Sequence, residues 1–387
     1  MRSIDYLFHT LLQVVLTTVL LASCAPVSTE SSEMTESPTN AATEVPADPM
    51  ADLIAAAQAE GALNLIAVAD WWCNYGEAIE TFKTKYGIAV NELNPNATAE
   101  EEFEAIKANK DNPGPQSPDV IDVAFLFSPS FKAEGLIQPY KVATWSTIPD
   151  DAKDPEGYWY GGYYSVLSFF VNTDVQPDVP QDWVDLLNPK YNGQVALSGD
   201  PRTVNEAMQS VFAAALANGG SLDNAQPGLD FFAKLNEAGN LIPRVATRDT
   251  IASGETPIRI TWDFEALAAT DAFAGHPKTE FVIPNNGRFA EKFVLAISAY
   301  APHPNAAKLW MEFLYSDEGQ LFWMKGYCRP IRETDMRARG VVPEALLAKL
   351  PAVSDAVFPT VEQLNVAKKL MIDKWDSVVG VDIQATP

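Results

Sequence analysis

The stretch from Gly157 to Asp174 sets the strongest limit on how this chain folds. Within it, Tyr163 to Val171 is aromatic and β-branched, lacks proline and charge, and stops at Asn172. Such a run reads as a strand covered on both faces. Tyr158, Trp159, Tyr160, Tyr163 and Tyr164 crowd around three glycines at its start. One α/β run precedes the stretch and a second follows. It is therefore expected to be the first crossing between two lobes, with an aromatic wall where the chain passes a cleft. Tyr163 and Tyr164 become candidate ligand contacts. Packing of the same rings inside a core strand is the competing reading.

Before the crossing, Ala62 to Ala69 reads as a buried strand, and the loop Asp70-Trp71-Trp72-Cys73-Asn74-Tyr75-Gly76 follows it. A helix from about Glu77 to Tyr86 stops at Gly87, and Ile88 to Leu93 is a second strand. Thr98 and Glu101 form a capping box for a helix to about Lys110. A third strand spans about Val120 to Leu126, and Phe127-Ser128-Pro129-Ser130 starts another helix. Strand alternating with helix at this spacing predicts an open parallel α/β sheet. Ligands of such sheets lie outside the carboxyl ends of strands. That rule nominates Trp71, Trp72 and Tyr75 after the first strand, and Phe127, Ser128 and Ser130 after the third. For the tryptophan pair, packing under the loop is the alternative.

After the crossing, Asp200-Pro201-Arg202-Thr203 reads as the start of a helix running to about Ala217. Free backbone N–H groups beside a hydroxyl and a guanidinium would make an anion site of Arg202 and Thr203. A plain N-cap with Arg202 facing solvent is equally compatible. Pro257 to Thr261 is a strand that delivers Trp262 and Asp263 to its end. An aromatic face beside a carboxylate suits an alkylammonium, while a capping aspartate beside a packed ring is the structural reading. Glu280 to Pro284 is a return strand, Phe293 to Ala299 re-enters the first lobe, and Val361 to Trp375 is expected to close it as a final helix.

With 387 residues the chain can build two lobes, each with its own core. A net charge of −24 argues against nucleic acid as a partner. At the N-terminus, Arg2 precedes an apolar stretch from Leu11 to Leu21 and then Ala22-Ser23-Cys24, the pattern of a secretory signal too short to span a membrane. Leu21-Ala22-Ser23-Cys24 resembles the lipobox of bacterial lipoproteins, which implies lipid attachment at Cys24. Residues 25–49 are mostly Ser, Thr, Glu, Pro and Ala and read as a disordered tether to the membrane.

A wider resemblance rests on Trp183-Val184-Asp185-Leu186-Leu187-Asn188-Pro189-Lys190-Tyr191-Asn192-Gly193, the strand after it, and Asp200-Pro201-Arg202-Thr203. This pattern resembles periplasmic binding proteins of the ferric-iron, polyamine, thiamine and phosphonate group. The segment from Pro304 to Gln320 and the stretch Gly326 to Arg332 are similar to further stretches of that family. The resemblance implies an α/β fold of the two-lobe periplasmic-binding-protein type (type II), with discontinuous lobes joined by hinge crossovers. The lobes would be 50–172 with 286–387, and 173–285, behind a signal at 1–24 and the tether at 25–49. It implies a monomeric, lipid-anchored, extracytoplasmic subunit of an ATP-driven importer. Its partners would be a small-molecule ligand and the permease, without catalysis, cofactor or resident metal.

Iron-binding relatives carry adjacent tyrosines near the position where this chain has Trp262-Asp263-Phe264; polyamine-binding relatives place a Trp and a nearby Asp in this region at a looser spacing. The resemblance therefore carries over to Trp262 and Asp263 in part. The favoured ligand is accordingly a polyamine or thiamine-like amine. Ferric iron with an anion at Arg202 and Thr203 comes second, and a phosphonate third. A secreted hydrolase and a sensor lipoprotein are the readings from other classes. Cys73 and Cys328 form an even pair in an exported chain, and the resemblance puts both in one lobe, which implies a disulfide; two free buried thiols are the alternative. His276 and His303 are too far apart in sequence to suggest a metal pair.

Overall fold

The computed structural model describes residues 48–385 apart from 113, 351, 352 and 354. The signal sequence, Cys24 and all but the last two residues of the tether lie outside the described residues. No helix among the described residues is long and apolar enough to cross a membrane.

The described residues form ten strands: β1 (Ala62–Ile66), β2 (Ala89–Leu93), β3 (Val120–Ala124), β4 (Ile137–Gln138), β5 (Tyr160–Asn172), β6 (Val195–Leu197), β7 (Ile258–Trp262), β8 (Thr279–Val282), β9 (Ala290–Ser298) and β10 (Arg329–Pro330). They are hydrogen-bonded in the order β2-β1-β3-β9-β5-β7-β6, with β4 on β9 and both β8 and β10 on β5. The apolar run around 163–171 is the centre of this path. All of β5 but Tyr164 is buried, as expected for a strand covered on both faces.

The partners of β5 change halfway along. Tyr160 to Val166 pairs with β9, and Leu167 to Val171 pairs with β7. β8 adds to the second part at Phe169 to Asn172, and β10 to the first at Tyr163 and Tyr164. One strand thus belongs to both halves of the molecule. The changeover lies between Val166 and Leu167, earlier in the chain than the expected boundary at 172/173. The register slips between Gly161 and Tyr163. A Cβ on Gly162 would stand 2.4 Å from a Leu295 methyl and 2.9 Å from the Trp323 ring, so only glycine lets the sheet pass there.

The sheet is mixed, not parallel as expected. β1 is parallel to β2 and β3, but β9 runs antiparallel to β3, and β5 antiparallel to both β9 and β7. The chain returns from the second half as β9 without a helical crossover, and a direct return reverses the strand.

Local signals place most helices. The capping box at Thr98 and Glu101 opens the helix Ala99–Asn109, and a second at Thr360 and Gln363 opens Val361–Val378. Gly87 ends the helix Tyr75–Tyr86 in a left-handed conformation. Two expectations are corrected. The helix after Asp200 begins at Asn205, not Pro201, and runs to Ala217; Pro201 to Thr203 form a turn ahead of it. The final helix packs chiefly on the second half and meets the first at Phe125–Phe127, where Lys368 lies 5.5 Å over the Phe127 ring. Its stripe of Leu364, Ala367, Met371 and Trp375 covers the helices Asn205–Ala217 and Gln226–Glu237, with Trp375 6.0 Å from Phe232. Gln363 donates to Asp223, and Asn236 donates to the Val379 carbonyl.

Two long-range ties hold the crossing. Cys73 and Cys328 form a disulfide across 255 residues of sequence, fixing the loop after β1 to the segment before β10. Asp263 accepts hydrogen bonds from the N–H groups of Val166 and Phe264 through Oδ1, and its Oδ2 pairs with the Arg329 guanidinium. Both partners of this ion pair are buried. Its site is therefore the β5 changeover itself. Removing one partner of a buried pair leaves the other charge uncompensated. Asp263→Ala is expected to lower unfolding free energy by about 3–5 kcal/mol. Urea unfolding checks this, and a loss below ~1 kcal/mol would show that the pair does not secure the crossing.

Candidate functional site

A cavity of about 440 Å³ opens between the two halves, among residues contributed by both. The loop after β1 supplies Trp71 and Trp72, the segment after β3 supplies Phe127, and β7 and β9 supply Trp262 and Phe293. Trp72 meets Phe264 edge-on at 4.7 Å and Phe293 at 5.6 Å, so its ring is held in place by others. Trp71 is 47% exposed, with the Arg248 guanidinium 5.5 Å over its ring.

Charge is the second character of this lining. Glu100, Glu102, Asp122, Glu206, Glu265 and Glu291 all line the cavity, and no Lys, Arg or His does among the described residues. Asp122, in the middle of β3, is the most constrained. Its Oδ2 accepts from the Tyr75 hydroxyl at 2.7 Å and from the Tyr163 hydroxyl at 2.9 Å. The Trp72 indole N–H donates in turn to Tyr163. Asp122 Oδ1 is buried and accepts no hydrogen bond among the described residues. Its backbone N–H donates to Glu102.

The opposite wall is built around the first turn of the helix Asn205–Ala217. Glu206 accepts from the Ser198 hydroxyl at 2.8 Å and from the Trp262 N–H at 3.3 Å. Arg259 donates to Glu265 at 2.7 Å and lies 3.7 Å from Glu206. Glu291 accepts from the Asn205 amide through both oxygens at 3.0 Å.

Desolvation makes these acids hard to ionise. Burial pushes Asp122 up to about 7 against the lowering pull of its two tyrosine donors. Burial does the same to Glu291, opposed by Asn205 and Gln209, which leaves it at about 7. Glu206 rises to about 7 through burial and repulsion from Glu265, with Arg259 pulling the other way. Glu102 is raised well above the usual range by burial and by Asp122. Burial and the neighbouring Asp122 also raise Tyr75 and Tyr163, so both hydroxyls stay protonated as donors.

The residues nominated from sequence divide into three groups. Trp71, Trp72, Phe127, Thr203 and Trp262 line one cavity together. Tyr75 and Tyr163 stand behind it and grip Asp122. The others are turned elsewhere. Asp263 is committed to Arg329 and the Val166 N–H, and Tyr164 donates to Glu333 at 3.0 Å. Ser128 is buried and donates to the Phe125 carbonyl. Arg202 is enclosed by Asp200, Asp376 and Asp382. With that guanidinium neutralised and the helix starting later, the expected anion site is not formed.

The lining acids were missed because 51 acidic residues give no contrast. One signal was present: Asp122 interrupts the otherwise apolar strand Val120-Ile121-Asp122-Val123-Ala124.

Comparisons with known proteins agree with this architecture. Residues 116–351 match the family model for a bacterial extracellular solute-binding protein. An uncharacterised Haemophilus influenzae protein is 30% identical over 58% of this chain and 65% of its own. A sulfate-binding protein of Salmonella typhimurium is 29% identical over 45% and 53%, and the spermidine/putrescine-binding periplasmic protein of Escherichia coli 27% over 51% and 58%. The chain thus spans between about half and two thirds of the length of these relatives. The periplasmic binding protein AfuA of Actinobacillus pleuropneumoniae, solved with fructose-6-phosphate, superposes with a TM-score of 0.61 at 23% identity, covering 82% of this chain and 98% of that one. An ABC transporter substrate-binding protein of Bradyrhizobium japonicum gives 0.64 at 16% identity, over 82% and 99%. The fold is that of the two-lobe periplasmic binding proteins, and the chain belongs to the bacterial extracellular solute-binding protein family.

Proposed function

We propose that this protein is the solute-capturing subunit of an ABC importer and that its ligand is a small organic cation, such as a polyamine or a thiamine-like amine. The observation that carries the reading is the cavity lining: six carboxylic acids, aromatic faces from both halves and no cationic side chain among the described residues. A protonated amine gains charge-assisted hydrogen bonds from the acids and cation–π attraction from Trp72 and Trp262, the Trp71 ring being covered by Arg248. The relatives bind ligands of opposite charge, so kinship alone does not select between them. An anion like sulfate or a sugar phosphate would face these carboxylates, with Arg202 already taken. Ferric iron is less well served, because the Tyr75 and Tyr163 hydroxyls are held as protonated donors to Asp122 and no group of three His, Cys, Asp or Glu side chains among the described residues could hold a metal ion.

One lobe comprises residues 48 to about 166 with about 290–350, and the other about 167–289 with the final helix. Contacts to both walls favour the closed form, and motion occurs where β5 and the 283–289 segment pass between them. The closed form docks on the permease, with no covalent step. Lipid attachment at Cys24 and a tether through Pro49 would keep the monomer at the outer face of the cell membrane.

The putrescine-type amine 1,4-diaminobutane is expected to raise the melting temperature, while sulfate, a phosphonate and ferric citrate leave it unchanged. Trp262→Ala should weaken amine binding about tenfold through the lost ring. Stabilisation by the phosphonate with none by amines would reverse the assignment of ligand charge.

Binding should also depend on pH. A bound cation favours ionised Asp122, Glu206 and Glu291, which are half protonated near pH 7 in the free protein. Affinity is therefore expected to rise between about pH 5.5 and 8 and then level off, with protons released on binding at pH 6. The same raised pKa values contribute stability to the free protein below about pH 4, lost as pH rises through 7. Amine stabilisation should accordingly be largest near pH 8. Titration calorimetry at pH 6 in two buffers of different ionisation heat tests the coupling; identical enthalpies in both would refute it.

A further inference from the structure

We propose that Arg248 and Lys368 clasp the two halves of the molecule together beside the cavity. Each seats its charge over an aromatic ring of the opposite half, and these contacts set how long a solute is retained. The inference rests on the hinged, two-half reading above and is independent of the ligand's charge. Trp71, in the loop after β1, and Phe127, in the segment after β3, both line the cavity from the first half. The Arg248 guanidinium lies 5.5 Å over the Trp71 ring, and the Lys368 ammonium 5.5 Å over that of Phe127. Both cations come from the second half. Arg248 opens the short helix Arg248–Ser253, which Asn172 at the end of β5 holds by donating to the Ile251 carbonyl at 2.8 Å. Lys368 stands on the final helix, which covers the helices Asn205–Ala217 and Gln226–Glu237. Neither cation itself lines the cavity.

These two charges are otherwise uncommitted. Among the described residues, every arginine except Arg248 forms an ion pair with a carboxylate. In a chain with 51 acidic residues against 27 basic ones, that exception calls for a cause. Lys368 likewise makes only its ring contact among the described residues, whereas Lys369 beside it pairs with Asp373. A ring attracts a cation through its quadrupole, modestly where water has access. A contact of that strength can be made and broken repeatedly, as opening and closing require. It also leaves the cavity's carboxylates free, where an ion pair to a lining acid would neutralise part of the site. Neither contact involves β5, the strand common to both halves, so both are lost when the halves part.

Arg248→Gln and Lys368→Gln remove the charges and leave the cavity lining intact. Both side chains are partly exposed, so the cores are untouched. Small-angle X-ray scattering of the full-length protein without ligand is expected to give the double variant a larger radius of gyration than the unaltered protein. An unchanged radius would overturn the clasp. In stopped-flow experiments with 1,4-diaminobutane, read by tryptophan fluorescence, each single substitution should raise the dissociation rate about two- to fivefold. Loss of a nearby positive charge alone would slow release of this dication, so the sign separates the two effects. In a Trp71→Leu background Arg248→Gln should add no further increase; the same increase in both backgrounds would refute the contact with the ring. A larger radius in the double variant with no binding of the diamine would keep the clasp and remove the organic-cation reading.

Discussion

The backbone hydrogen bonds of β5 are the constraint on which the rest of this structure depends. A single strand gives its first half to β9 and β10 and its second half to β7 and β8. The two halves therefore share a covalent and hydrogen-bonded spine, and the space beside it is bounded by strand ends from both. Trp72 and Asp122 reach the cavity from one half, Glu206 and Trp262 from the other. A small ligand that touches both sets bridges the halves, which is how binding energy becomes closure.

The electrostatics then bear on the ligand proposed. A protein that buries several carboxylates around one space without matching cations carries a standing desolvation cost. Here part of that cost is met by protonation, as the positions of Asp122, Glu206 and Glu291 near 7 indicate. Arg259 answers Glu265 and Glu206 from behind the wall, leaving Asp122 and Glu291 with only neutral hydrogen-bond donors. A cationic ligand converts that deficit into affinity, and an anion would enlarge it. The tyrosines support this division of labour. Held as protonated donors, they stabilise the carboxylate they touch and are not offered as phenolates to a metal.

Much of the fold was legible in the sequence, and the reason is locality. The β5 run, the capping box at Thr98 and Glu101 and the glycine stop at Gly87 each follow from residues a few positions apart. Trp71 and Trp72 were legible as well, since the strand-end rule needs only β1 and the loop after it. Asp263 and Arg202 were misread because their partners are distant. Arg329 lies 66 residues from Asp263, and Asp376 and Asp382 lie 174 and 180 from Arg202. A charge beside an aromatic residue looks the same in sequence whether it faces a ligand or a buried counter-ion. The final helix was misplaced for a related reason: its apolar stripe shows that it packs, but not on which surface.

The misread aspartate has a position that explains why it sits beside a cavity residue without entering the cavity. Trp72 precedes Cys73, which is bonded to Cys328, and Cys328 is followed by Arg329, whose guanidinium holds Asp263. Asp263 in turn receives the Val166 N–H at the point where β5 changes partners, and Trp262 immediately before it lines the opposite wall. A disulfide, an ion pair and one backbone hydrogen bond thus connect Trp72 and Trp262, on opposite walls of the cavity, through the crossing between the halves. Binding residues carried on such a frame lose little freedom when a ligand arrives, which lowers the ordering cost of capture. Asp263 serves the cavity by fixing the elements around it. That role requires burial and a full set of partners, which is the environment in which a carboxylate is least available to a solute.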